Sequence, residues 1–151
     1  MAVPQGVSEG QGVKPRRVQR VDHPVLKLTF TLSSLYLAAV GLGLMLLPLQ
    51  FGVGAVPPSA PPELIALLRL LGGPFLGIAA LNWLSRNAES SPATRNILVA
   101  NIVGFGAVAA NDIWGVATGE AREIAKAFLV IHLLFALAFV VALRAKLEPR
   151  R

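Results

Sequence analysis

Long apolar stretches alternate with short polar or proline-rich ones along most of this chain: Val25 to Phe51, Leu64 to Leu84, Ile97 to Ala117 and Ile124 to Leu143. Each is close to the roughly 20 residues a helix needs to cross the hydrocarbon core of a bilayer. In lipid every backbone polar group must be paired within the protein, so runs of this length predict helices; barrel strands would be shorter and would alternate in polarity. The pattern predicts an all-α bundle of four transmembrane helices, up-down-up-down, over residues 25–145, with spans near 25–48, 63–85, 95–117 and 123–144. Asn96, Asn101, Asn111 and Asp112 interrupt the third run, which predicts a place for it inside the bundle.

Composition agrees with a membrane solvent. Hydrophobic residues make up 54% and charged residues 15% of the 151, and the mean hydropathy is +0.63; a soluble domain is about half apolar and a quarter charged. Charge then orients the bundle, because Lys and Arg in short flanks mark the cytoplasmic side. Lys14, Arg16, Arg17, Arg20, Lys27, Arg86, Arg95, Arg144, Lys146, Arg150 and Arg151 fall on one side, and only Arg122 and Lys126 on the other. This predicts a multi-pass protein of a bacterial inner membrane with both termini cytoplasmic.

The net charge of +6 is thereby explained by topology and by anionic lipid heads. No aromatic residues are interleaved with the basic ones, so nucleic acid is not an expected partner. Residues 1–24 lack apolar periodicity and read as a disordered basic tail, with a second basic tail at 146–151. The Arg16-Arg17 pair does not make an export signal, given Val18, Gln19 and Arg20 after it and the length of the first span. Without cysteine, disulfides and thiolate metal sites are excluded.

The segments between the runs carry helix-end signals. Pro57, Pro58, Pro61 and Pro62 predict a stiff, partly polyproline II connection from Pro48 to Pro62. Pro62 followed by Glu63 suits the first turn of the second span, and Ser91, Pro92 and Thr94 suit the start of the third. A short loop around Gly119 makes the third and fourth spans antiparallel neighbours. Within the second span, Gly73 and Gly77, extended to Ala80, form a small-residue face that predicts close helix packing, inside the bundle or with another chain. Pro74 predicts a bend there.

Ionisable residues at membrane depth are costly and point to the protein interior. Arg69 and Asp112 each lie about five residues from the non-cytoplasmic end of their spans, roughly 7 to 8 Å deep at helical rise. Matched depth suggests an ion pair; the alternative is that Arg69 snorkels to lipid heads and Asp112 faces the interface beside Trp114. His132, the deepest titratable group, shares a helical face with Phe128, Phe135 and Phe139. It reads as a neutral histidine bonded across the bundle, or as a proton-transfer or cofactor contact. Thr29, Ser33 and Tyr36 lie on one stripe of the first span and could meet such a partner. Asn101, Phe105, Val108 and Asp112 do the same on the third. Arg69, Asp112, His132, Asn111 and Tyr36 are the candidate polar cluster.

The arrangement Arg69-Leu70-Leu71-Gly72-Gly73, then Leu81-Asn82-Trp83-Leu84-Ser85-Arg86-Asn87, then Ser91-Pro92-Ala93-Thr94-Arg95 leading into Asn101, resembles a broad group of uncharacterised bacterial four-helix membrane proteins. The resemblance spans residues 25 to 145 and implies the topology and a bacterial origin, but no catalytic residue, metal or cofactor. With short loops, no nucleotide loop and no convergent acid–base pair, the sequence favours a non-enzymatic accessory or interaction subunit of a membrane complex, or a homo-oligomer. The alternative is a binding or transport protein for a lipid, quinone, pigment or small anion.

Overall fold

The computed structural model describes residues 24–147 and is helical, with no strand among the described residues. The expected tails at 1–24 and 146–151 fall outside them, apart from Pro24 and the backbone of residues 146–147. Five helices follow one another: α1 (Pro24–Leu46), α2 (Pro48–Phe51), α3 (Pro62–Ser85), α4 (Pro92–Thr118) and α5 (Ala125–Leu147). Four of them are long and apolar enough to cross a membrane.

Proline, serine and glycine set their ends. Pro48 has no N–H and disfavours helical backbone at Leu47, so α1 stops at Leu46. The proline-rich connection is not extended throughout, because Pro48 also opens the single turn of α2, closed by the Gly52 N–H on the Pro48 carbonyl at 2.9 Å. Pro62 and Glu63 start α3, which runs unbroken through Pro74. The Ser91 hydroxyl accepts from the Thr94 N–H at 3.2 Å, which fixes the start of α4 at Pro92. Gly119, at φ +73°, ends α4 in the left-handed conformation that a side chain would resist.

The helices associate as two pairs, α1 with α3 and α4 with α5. The pairs are joined by a core in which Phe30 of α1 meets Phe139 of α5 edge-on, with ring centroids 5.6 Å apart, while Phe105 of α4 stacks on Phe135 and Phe139. The most buried span is α1, not the asparagine-bearing third run. Its small and hydroxylated residues Thr29, Ser33, Ser34 and Gly41 let α3 and α5 close around it.

The close approach of α1 and α3 is made by Gly41 and Gly72. A Cβ on Gly72 would lie 2.6 Å from the Gly41 carbonyl oxygen and would also overlap Met45 Cγ. A Cβ on Gly73 or Gly77 would have no neighbour within 4 Å, and Pro74 is exposed, so among the described residues the expected small-residue face makes no internal contact. The contact lies one residue away, on the side of α3 that also buries Ala79 and Asn82.

Candidate functional site

Between the two helix pairs lies a cavity of about 450 Å³. Its walls are mostly aliphatic and aromatic, with Phe51, Phe75, Phe105 and Phe128 from four different helices. The polar groups are few and converge: Tyr36, Asp112 and His132 on one wall, Asn101 at one end, and Arg122 at the other. Such a combination, at a volume within the roughly 300 to 1,000 Å³ of small-molecule sites, is the usual build of a ligand pocket.

Tyr36, His132 and Asp112 form a continuous hydrogen-bonded chain. The Tyr36 hydroxyl is 2.7 Å from His132 Nε2, and His132 Nδ1 is 2.6 Å from Asp112 Oδ2. A carboxylate can only accept, so Asp112 in that form takes the proton of Nδ1, while the bond between Nε2 and the Tyr36 hydroxyl can run in either direction. The side chains of His132 and Asp112 are 12% and 14% exposed, so their mutual bond replaces most of the water each would otherwise hold. The Tyr36 ring packs against Phe135 with centroids 5.3 Å apart, which fixes the hydroxyl at the cavity wall. The phenol oxygen keeps lone pairs for an incoming donor. A proton passing along the chain would move between cavity and carboxylate.

A second polar device holds the pairs together at the other end of the cavity. Asn82 of α3 and Asn101 of α4 exchange two amide hydrogen bonds, each 2.9 Å. The other Asn82 donor reaches Ser33 Oγ of α1 at 3.1 Å, and the other Asn101 donor reaches the Ile97 carbonyl at 2.9 Å. Both amides thus use all their donors away from water. At the α2 end, Arg122 Nη1 donates to the carbonyls of Phe51, at 3.2 Å, and Val53. That bond ties the segment before α5 to α2 and sets Phe51 against the cavity.

Of the candidate cluster, Tyr36, His132 and Asp112 come together; Arg69 and Asn111 do not. Both are exposed, and Arg69 makes no ion pair among the described residues. The expected Arg69–Asp112 pair is replaced by His132–Asp112 because α4 packs along α5, through the short loop at Gly119, and touches α3 chiefly at Asn82. Equal depth put the two charges at one level without turning them toward each other. Asn82, Gly104 and Arg122 join the site beyond the candidate cluster. Asn82 carried a signal, an amide one turn inside an apolar span, whereas Gly104 and Arg122 join only through the fold.

Among the described residues no three of His, Cys, Asp and Glu gather as a metal-ligand set. Comparison of the chain with protein-family models, curated proteins and solved structures finds no match.

Proposed function

We propose that this protein is a membrane-embedded binding protein, acting in retention or transport of a small, largely apolar molecule with one polar group. The observation that carries this reading is the convergence of Tyr36, His132 and Asp112 on an otherwise apolar, aromatic cavity of about 450 Å³. Packing alone would favour filling such a space, since an unfilled apolar cavity costs stability in proportion to its volume. The polar chain orients a head group, and the phenylalanine walls supply apolar contact area.

The test is retention of a ligand through purification in mild detergent, read by native mass spectrometry. Gly104 lines the cavity and has no neighbour within 4 Å of an added Cβ, so Gly104→Leu fills the space without a backbone clash. A folded Gly104→Leu protein is expected to lose a co-purifying mass that wild type retains. Equal retention by both would overturn the reading.

A second reading, that the chain is an accessory or interaction subunit of a bacterial inner-membrane complex or a homo-oligomer, draws on a different surface. Gly73 and Gly77 leave an open strip on α3 where another helix could approach closely. Cross-linking from single cysteines at these positions in native membranes checks it, and no adduct beyond the monomer would count against it. The placement of both termini in the cytoplasm rests on the Lys and Arg asymmetry. Reporter fusions at residue 90 and residue 120 should report opposite sides.

A further inference from the structure

We infer that the cavity loads sideways, from within the bilayer, through the gap between α3 and α4, and that its occupant is a single-tailed, uncharged amphipath whose tail leaves by that gap. The inference rests on the binding role proposed above and names its route and ligand class.

The exposure of the cavity wall gives the direction. Every lining residue from α1, α2, α5 and the segment holding Arg122 is buried or half-buried. The exposed lining residues are Ile78 and Leu81 on α3 and Ala100, Gly104 and Val108 on α4. The opening is therefore bordered by these two helices alone, which touch each other least of the sequential neighbours. Its ends are shut. The reciprocal Asn82–Asn101 bonds close the gap below, and above it Phe51 is held by the bonds from Arg122 to the carbonyls of Phe51 and Val53.

The rim lies on two helices long and apolar enough to cross a membrane, so within a bilayer it faces acyl chains. All five rim residues are apolar, and a hydrated ion would lose its water there with no polar group in exchange. A molecule already dissolved in lipid meets no such barrier. Inside, the Tyr36 hydroxyl lies in line with His132 and Asp112, so an anionic head at that hydroxyl would sit beside the carboxyl group, and a cationic head would first have to leave its water at the apolar rim. An uncharged oxygen head fits at the Tyr36 hydroxyl. The cavity volume suits one chain or ring, toward the lower end of the range of about 300 to 1,000 Å³ for small-molecule sites, and not a two-chain phospholipid.

The test uses full-length protein in lipid nanodiscs and a long-chain fatty alcohol bearing a diazirine, with the matching fatty acid and alkylamine as charged arms. Labelled residues are mapped by peptide mass spectrometry after timed photolysis. The alcohol is expected to label inner-wall segments around Leu37, Phe105 and His132, and Gly104→Leu is expected to abolish this. Ile78→Trp combined with Val108→Trp, which places bulk on the rim, should slow inner labelling by about tenfold or more. Leu84→Trp, an equally lipid-facing change on α3 away from the rim, should not slow it.

Rim variants that load at the wild-type rate would overturn the sideways route while leaving the binding role intact. Equal inner labelling by the acid or the amine would overturn the uncharged head. Absence of inner labelling in wild type, or labelling that Gly104→Leu does not change, would overturn the binding role itself and this inference with it.

Discussion

His132 Nδ1 and Asp112 Oδ2 face each other at 2.6 Å across the α4–α5 interface, both largely shielded from solvent, with Tyr36 closing the line from α1. A hydrogen bond to a charged group contributes about 1.5 to 3 kcal/mol, so Asp112→Ala is expected to destabilise the folded bundle by about 2 kcal/mol. His132→Phe keeps the aromatic face toward Phe128 and Phe105 but leaves the Asp112 carboxyl without its partner, so it should cost at least as much. A double-mutant cycle in a detergent unfolding titration checks the link, with an expected coupling of about 1 to 2 kcal/mol. Additive effects would show that the two side chains are independent.

The two amides at the opposite end of the cavity behave as a unit. Asn82→Leu leaves the Asn101 amide unpaired in an apolar setting, as Asn101→Leu does to Asn82. Interhelical bonds in membranes contribute at most about 1 to 2 kcal/mol, so each single change is expected to lose about that much. The double leucine variant should recover part of it, because no unpaired amide is left. If the double variant is less stable than either single one, the amide pair is not acting as a unit.

How much of this was legible in the sequence differs from feature to feature for physical reasons. Span number and approximate limits follow from apolar length alone, which lipid enforces. The inward stripe bearing Tyr36 and the aromatic face around His132 were also readable, because helical spacing places side chains on one face. Rotation about the helix axis was not. Gly72 and Gly73 differ by about 100° around α3, yet only Gly72 touches α1. Asp112 and His132 stand six residues before the end of α4 and seven after the start of α5, so their common level across a short loop was an available signal. The Arg69 pairing competed with it on depth, and helix adjacency decided. The cavity itself draws on α1 through α5, and no local pattern announces it.

The one-residue difference on α3 gives a sharp contrast. Gly72→Ala would bring a methyl within 2.6 Å of the Gly41 backbone oxygen, which cannot rotate away. Overpacking of this kind costs about 1 to 3 kcal/mol as the helices separate. Gly73→Ala and Gly77→Ala meet nothing, and removing glycine from a helix favours it by up to about 1 kcal/mol. In parallel thermal unfolding in detergent, Gly72→Ala should melt below wild type and the other two at or above it. Equal melting of all three would show that α1 and α3 do not meet at Gly41 and Gly72.

Arg122 secures the α2 segment by backbone contacts alone, and its planar guanidinium is suited to hold two carbonyls at once. Gly54 beside it, at φ +82° and with the Arg122 side chain 3.7 Å from the position of an added Cβ, lets the turn after α2 fold back under that side chain. Arg122→Ala removes both bonds without touching a spanning helix, so the expected effect is local: faster amide exchange over residues 51–56, with helix content and the exchange of α1 and α3 unchanged. Arg122→Lys should fall between, since an ammonium keeps the charge but sits on a shorter stem and lacks the fixed, planar N–H directions of Nη1, which donates to both carbonyls. Hydrogen–deuterium exchange resolved to peptides covering α2 makes the measurement. Unaltered exchange there in Arg122→Ala would show that the hydrogen bonds within α2 and its turn, such as those from Gly52 and Val56, hold the segment unaided.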